Sequence, residues 1–401
     1  MLTLLPPPQL HPEQLPIGNI PALYVHIPFC FHKCHYCDFY SITRQTPDRM
    51  ARFVDLMLRE AEQYSRSATN PSPSPRTIFF GGGTPSLLPL DDMRRLIAGL
   101  RDRFDFSQVD EWTIECNPAT VTTEYCGMLR QMGVTRLSFG AQSFNPAELK
   151  MLERHHDPED VPRSIEMARA AGFSRLNVDL IYAIPGQTLD SWMNSLEAAL
   201  VLRTPHLSCY GLTYEANTPM AVKKRLGQFR GADEEVELEM FHATRRRLAE
   251  AGLHAYEISN YALPGEACRH NLAYWSGENY IGLGPAAASH VEGTRWRNRP
   301  HLGEWESAVA SGGLPAIEVE TLSPPRRAGE LAYLQLRLSR GVDFADFARR
   351  MGCDPRLLFA DPLERLSKLG LLIVDDEGFR LTEKGLNVTD AIAAEFLADV
   401  G

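Results

Sequence analysis

Cys30-Phe31-His32-Lys33-Cys34-His35-Tyr36-Cys37 spaces three cysteines as C-x-x-x-C-x-x-C, and the fold is read outward from this stretch. Just before it, Ala22–Phe29 (ALYVHIPF) is rich in β-branched and aromatic residues, which predicts a short strand ended by Pro28. A loop at the C-terminal end of a strand is where α/β barrels place their chemistry. Three neighbouring thiolates make a metal site one ligand short. Structural zinc takes four ligands, and no fourth cysteine or paired histidine follows at finger spacing. An iron–sulfur cubane held by three cysteines leaves one iron open to an exchangeable ligand. A zinc knuckle, or three unrelated thiols, is the plainer alternative at this point.

The chain has 401 residues, enough for two or three domains and a sizeable buried core. Hydrophobic residues at 44% and charged residues at 23% are ordinary for a soluble globular protein. A net charge of −10 argues against a nucleic-acid backbone as partner. Eight cysteines, five of them scattered (Cys116, Cys126, Cys209, Cys268, Cys353), suit a reducing compartment rather than a disulfide scaffold. The first 32 residues hold no Lys or Arg, so the basic start of a signal peptide is missing. Residues 1–21 are proline-rich and predict an extended arm. No apolar run approaches a membrane span, and a cytoplasmic location is expected.

Residues 22–230 read as alternating strand and helix. Strands are predicted at 22–28, 76–80, 111–116, 134–140, 175–185 and 206–212, with helices at Asp48–Tyr64, Asp91–Phe104, Thr122–Met132, Val161–Ala171 and Leu189–Leu202. Six βα units predict a parallel sheet with right-handed crossovers, too few for a closed eight-stranded barrel. The expected fold class is therefore α/β, an open partial (β/α)6 barrel. Ala68–Arg76 reads as a Pro/Ser-rich surface loop. Residues 231–323 form a connecting segment. It opens with a helix at Asp233–Ala251, acidic first and basic last as the helix dipole favours, and 253–300 reads as irregular. From Pro324 to residue 401 the pattern is helices, a hairpin at 371–382 and a final helix, a winged-helix-like accessory domain. DNA binding is set against it by charge. Residues 326–384 hold 11 Lys/Arg against 10 Asp/Glu, and the wing, Asp375-Asp376-Glu377-Gly378, would repel phosphate.

Several residues stand out chemically. Gly81-Gly82-Gly83-Thr84-Pro85 follows the second strand, and glycine lets backbone groups approach a ligand with no Cβ in the way. A tight turn is the plainer reading. Glu115 and Asp179 sit in otherwise apolar strands, where a carboxylate is costly unless paired. Each is either a hydrogen-bond anchor or an acceptor for ligand hydroxyl and amino groups. Gln142 and Arg154 follow the fourth strand; an arginine there can clamp a carboxylate bidentately or make a surface ion pair.

With these residues together, the chain resembles the radical S-adenosylmethionine (SAM) proteins, and over nearly its whole length their oxygen-independent coproporphyrinogen III oxidase-like family. YVHIPFC, GGGTP, ECNP, SFGAQS, the Arg154–His156 segment and NVDLIYAIPGQT match in order. The resemblance implies a 4Fe–4S cluster on Cys30, Cys34 and Cys37, whose open iron takes the amino and carboxylate groups of SAM. It puts Tyr24, Tyr36, Gly82, Gly83, Thr84, Glu115, Gln142, Arg154 and Asp179 where the family contacts SAM.

Within the family, the oxidases carry a further cysteine two positions after the third ligand, where this chain has Phe39, and a longer N-terminal extension. His270-Asn271-Leu272-Ala273-Tyr274-Trp275 instead matches the HNxxYW motif of the HemW-like branch, whose members resemble haem chaperones. IGLGPAAASH (281–290) and the C-terminal segments fit that branch too, with Pro285-Ala286-Ala287 departing from its usual Gly/Ala/His run near His290. The motif offers an imidazole for axial iron ligation and two aromatic rings for a porphyrin face. A structural turn is its plain alternative. The implied function is haem delivery to an acceptor protein, with a reduced flavodoxin or ferredoxin as electron donor and no nucleic-acid or membrane partner. If SAM is cleaved, one-electron reduction would give a 5′-deoxyadenosyl radical and methionine. The rivals are oxidative decarboxylation of coproporphyrinogen III and radical methyl transfer.

Overall fold

The computed structural model describes residues 15–16, 18–65 and 73–398. Most of the proline-rich arm, and the part of the Ala68–Arg76 loop before Pro73, lie outside the described residues. Six strands, β1 (Ala22–Ile27), β2 (Thr77–Gly82), β3 (Glu111–Cys116), β4 (Arg136–Gln142), β5 (Arg175–Tyr182) and β6 (His206–Gly211), pair in sequence order, all parallel. Helices α1 (Pro47–Ser65), α2 (Leu90–Arg101), α3 (Thr123–Gln131), α4 (Pro146–Met151), α5 (Asp160–Ala170) and α6 (Leu189–Val201) make the crossovers. Starts are set by side-chain caps: Thr122 and Thr188 accept the backbone N–H groups of Tyr125 and Ser191. The six-residue α4, capped by Asn145, is too short to show a helical period in sequence.

The partial barrel is the centre of a larger open sheet. The stretch that reads as irregular supplies β7 (His254–Ala255), β8 (Asn260–Ala262), β9 (Tyr280–Leu283), β10 (Ala288–Val291), β11 (Thr294–Asn298) and, further on, β12 (Ala316–Thr321). The strand order is β12-β11-β10-β9-β1-β2-β3-β4-β5-β6-β8-β7. Strand β9 lies parallel to β1, whereas β8 runs antiparallel to β6. Strands β7 to β11, two to five residues long, give too little alternation to read; β12 (AIEVET) alternates but lies in the stretch read only as a connecting segment. Helices α7 (Pro219–Arg225), α8 (Glu234–Glu250), α9 (Arg269–Trp275) and α10 (Leu302–Ala310) complete this part.

Residues beyond Ser323 form a module with its own buried core, including Phe347, Phe359, Phe379 and Phe396. It comprises α11 (Pro324–Gln335), β13 (Val342–Asp343), α12 (Phe344–Met351), α13 (Pro355–Leu358), α14 (Ala360–Lys368), β14 (Leu372–Val374), β15 (Gly378–Leu381), α15 (Glu383–Leu386) and α16 (Thr389–Ala398). Strands β14 and β15 form the expected hairpin, and β13 adds to its other edge. The acidic wing is closed on itself: Asp375 accepts the N–H groups of Glu377 and Gly378 and pairs with Arg380 at 2.7 Å.

The two faces of the barrel sheet differ in kind. Outward residues such as Trp112, Phe139 and Val178 are buried under the helices, each contributing about 2 kcal/mol by leaving water. The alternate positions carry Arg136, Ser138, Asn177, Asp179, His206 and Ser208, the last five joined across strands by hydrogen bonds. The lumen thus holds a polar network whose members bond one another, while the buried Thr113 Oγ1 beside it has no hydrogen-bond partner among the described residues.

Candidate cofactor site

The cysteine loop leaves the end of β1. Cys30 N–H donates to the Ile42 carbonyl at 2.9 Å and Ile42 N–H to that of Pro28 at 2.8 Å, clamping the base of the loop. Cys30, Cys34 and Cys37 are free thiols, partly exposed. They line a cavity of about 700 Å³ together with Tyr36, Gly82, Gly83, Thr84, Glu115, Gln142, Arg154 and Asp179. Eleven expected residues from separate strands and loops therefore share one cavity, at the C-terminal ends of the strands. Tyr24, His270, Tyr274 and Trp275 are not among its lining.

The glycine loop serves the cysteine loop directly. Gly83 and Thr84 N–H groups donate to the carbonyls of Ile27 and Phe29 at 2.9 and 2.7 Å, so neither is left over for a ligand. A Cβ on Gly83 would lie 2.7 Å from the Phe29 oxygen, and one on Gly82 (φ +101) 2.4 Å from the His26 ring. Glycine is needed at 83 because two backbones touch, and at 82 because of the left-handed φ and the His26 ring. Gln142 shows local strain of another kind, with φ 66 at a β4–β5 register shift that re-aims its side chain.

Arg154 joins the loop to the cavity. Its Nη2 donates to the Gly140 carbonyl at 2.6 Å, and Nη1 lies 3.7 Å from Cys34 Sγ. Its Nε is buried with no hydrogen-bond partner among the described residues, a donor available to a carboxylate. Burial pushes Cys37 up to about 11 and raises Cys30, against hydrogen bonds from Thr84 and Ser41 and the charge of Arg154. Glu115 is pushed up to about 8, by burial first and by the neighbouring Asp179 second. Burial also raises Asp179, opposed by hydrogen bonds from Ser208, Asn177 and Ser138. Two protonatable carboxyl groups beside a guanidinium suit a ligand with amino, hydroxyl and carboxylate groups.

Three thiols on one loop and lining one cavity can supply a polynuclear cluster, whose cysteines each hold a different iron. Sequence reasoning missed Ser138 and Tyr210, which also line the cavity. Ser138 pairs with Glu115 across β3–β4 and bonds Asp179, so the two-residue alternation of β4 carried the signal.

The HNxxYW motif forms α9, at the other end of the sheet. Glu111, at the start of β3, accepts the N–H groups of Arg269 and His270, each at 3.1 Å, and thereby caps α9. His270 is 1% exposed, with Nδ1 3.0 Å from Thr77 Oγ1 and its ring stacked 5.2 Å from that of Phe79. Burial lowers its pKa to about 3, so the imidazole is neutral. Its Nε2 is buried with no hydrogen-bond partner among the described residues, so the Thr77 contact leaves that nitrogen free. Tyr274 packs between His270 and Tyr280, whereas Trp275 lies under the Arg337 guanidinium at 4.9 Å. His290 stands beside Tyr280 on the neighbouring β10.

Comparison with known proteins agrees with this architecture. Residues 24–199 match the radical SAM superfamily and residues 322–388 the HemN C-terminal domain. The crystal structure of coproporphyrinogen III oxidase (HemN) from Escherichia coli superposes with a TM-score of 0.81, covering 94% of this chain and 90% of that one at 24% identity. That likeness gives the fold: an α/β radical SAM barrel with a C-terminal accessory domain, the class of protein to which fold and cysteine loop point. The haem chaperone HemW of Bacillus subtilis is 34% identical over 382 residues, covering 94% of this chain and all of that one. HemW of Lactococcus lactis is 32% identical over 378 residues, covering 94% and 97%. The chain belongs to the HemW family of radical SAM proteins. Among the described residues no helix is long and apolar enough to cross a membrane.

Proposed function

We propose that this protein is a haem chaperone that binds a 4Fe–4S cluster, SAM and haem and passes haem to an acceptor protein. Residues 22–230 would act as the SAM barrel, 231–323 as the segment that brings α9 to it, and 324–401 as the accessory domain. Cys30, Cys34 and Cys37 would hold the cluster. Glu115, Gln142, Arg154 and Asp179 would orient SAM, with Arg154 on its carboxylate. Tyr24 would act from beside His26, to which its hydroxyl is hydrogen-bonded at 3.2 Å. Haem is assigned to the α9 region with His270, Tyr274 and Trp275. When bound, the cluster supplies single electrons delivered by a reduced flavodoxin- or ferredoxin-type protein. The residues of the chain bind, orient and keep water away from the ligands. A cytoplasmic location belongs to this reading.

The observation that carries it is the single cavity shared by the three thiols, the glycine loop, two raised carboxyl groups and a half-satisfied arginine. Phe39, exposed at the cavity's lining where the oxidases have cysteine, favours the chaperone over decarboxylation. Anaerobic reconstitution tests it. About four irons per chain, saturable SAM and haem binding, and haem transfer to an apo-haem protein are expected. Multiple-turnover loss of carboxyl groups from coproporphyrinogen III would overturn it.

A further inference from the structure

A second cavity, of about 550 Å³, lies at the floor of the barrel, where the strands begin. Thr77 lines it while Gly82, five residues along β2, lines the cysteine cavity, a separation of about 16 Å along an extended strand. Its walls include Leu272 and Ala273 of α9, Leu338 from the segment after α11, and the ring of Tyr256. The C-terminal module is fastened here, with Ser339 N–H donating to the Tyr256 carbonyl at 3.0 Å and Arg350 Nη2 to that of Gly277 at 2.7 Å.

Three exposed arginines, Arg76, Arg269 and Arg340, stand on this cavity against Asp110 and Glu278. Asp110 pairs with both Arg76, at 3.2 Å, and Arg269, at 3.3 Å, so one carboxylate serves two guanidinium groups. Arg340 makes no ion pair among the described residues, and its Nη2 donates to Ser276 Oγ at 3.1 Å. In a chain of net charge −10 this is a locally cationic rim over apolar walls.

We propose that the floor cavity binds a flat apolar molecule bearing two carboxylates, the chemistry of haem and its propionates, with Arg269 and Arg340 on the carboxylates. The assignment rests on the haem-binding reading above and goes further in naming the cradle, whose α9 contacts are Arg269, Leu272 and Ala273; His270, Tyr274 and Trp275 are not among its lining. Guanidinium forks match carboxylates bidentately, and an apolar slot of this volume suits a ligand of porphyrin size. One arginine comes from α9 and the other from the segment that leads into the rest of the C-terminal module, so the ligand is gripped only while the module is docked. Held at the floor, the porphyrin is cargo, separated by the polar lumen from the cavity of the cysteines.

The test is a set of absorbance titrations on the full, reconstituted chain with haem, haem dimethyl ester and SAM. The double variant Arg269→Glu/Arg340→Glu should bind haem at least about 30-fold more weakly and SAM unchanged, whereas Arg269→Lys/Arg340→Lys should keep most haem affinity. Wild type should prefer haem to its ester by a similar factor, a comparison that holds even if the charge-reversed variant fails to fold. Haem affinity unchanged in the double Glu variant, or an ester bound as tightly as haem, overturns the assignment alone. Absence of haem binding by the wild type overturns the assignment and the proposed function together.

Discussion

The two ends of the barrel sheet use opposite chemistry for their cavities. At the C-terminal ends, thiols, glycine backbone and carboxyl groups surround one half-buried arginine. At the N-terminal ends, apolar side chains form the wall and the charges stand exposed at the rim. The first arrangement fixes a polar ligand through many directional contacts. The second suits an apolar ligand that carries its charged groups at one edge. Between them the polar lumen gives a path: Asn177 Nδ2 donates to Asp179 Oδ1 at 2.7 Å, and Asn177 Oδ1 lies 2.6 Å from His206 Nδ1. That acceptor requires the Nδ1–H tautomer in the neutral ring, so His206 Nε2 accepts from Tyr256 OH at 2.9 Å. Asp179 belongs to one cavity and Tyr256 to the other.

The sharpest way to break the comparison is to empty one end. Replacing Cys30, Cys34 and Cys37 by Ala should abolish iron–sulfur absorbance, whereas Cys116→Ala or Cys268→Ala should leave it; equal loss from a distal cysteine contradicts the three-ligand site. Next, Arg154→Ala should cost about 2 kcal/mol of SAM binding by equilibrium dialysis, a 10- to 100-fold loss, with haem affinity untouched. At the other end, His270→Ala removes a buried ring and orphans Thr77. It should cost about 2 kcal/mol of stability in denaturant melts. The same variant should displace or lose the haem Soret band, as the assignment of haem to His270 requires; an unchanged band would leave His270 a structural anchor of α9.

A smaller effect separates the ends by pH. Glu115, facing Asp179, Arg136 and Tyr24, has its pKa raised from 4.5 to about 8. The folded state therefore holds a proton that the unfolded chain has lost, so its contribution is fully present below about 4.5 and is lost as pH rises through about 8. SAM-free protein should lose thermal stability across that window, and Glu115→Gln should flatten the slope; an equal slope in the variant would place the titration elsewhere. The smallest expected effect is coupling. SAM should change haem affinity by about fivefold, and Asn177→Leu, which cuts the path, should remove that dependence.

The C-terminal end was largely legible because each of its residues breaks a local pattern. Glu115 and Asp179 interrupt apolar strands, three glycines follow a strand, and cysteines recur at short spacing. The loop's use of Gly83 and Thr84 was not legible, since those N–H groups find partners 56 and 55 positions earlier. The floor was harder still. Arg269 and Arg340 lie 71 positions apart in unremarkable surroundings, and only the docking of the C-terminal module brings them to one cavity. The outer strands β7 to β11 are too short for a period, so 253–300 reads as irregular although it extends both edges of the sheet.

The central claim is that the three cysteines and the carboxyl–arginine cavity form one cofactor site. Electron paramagnetic resonance of the reduced, reconstituted protein, recorded with and without SAM, tests it most directly. SAM should alter the cluster signal in wild type and in Arg269→Glu/Arg340→Glu, and much less at the same concentration in Arg154→Ala. A signal indifferent to SAM in the wild type, or one that survives in the triple cysteine variant, would contradict the account.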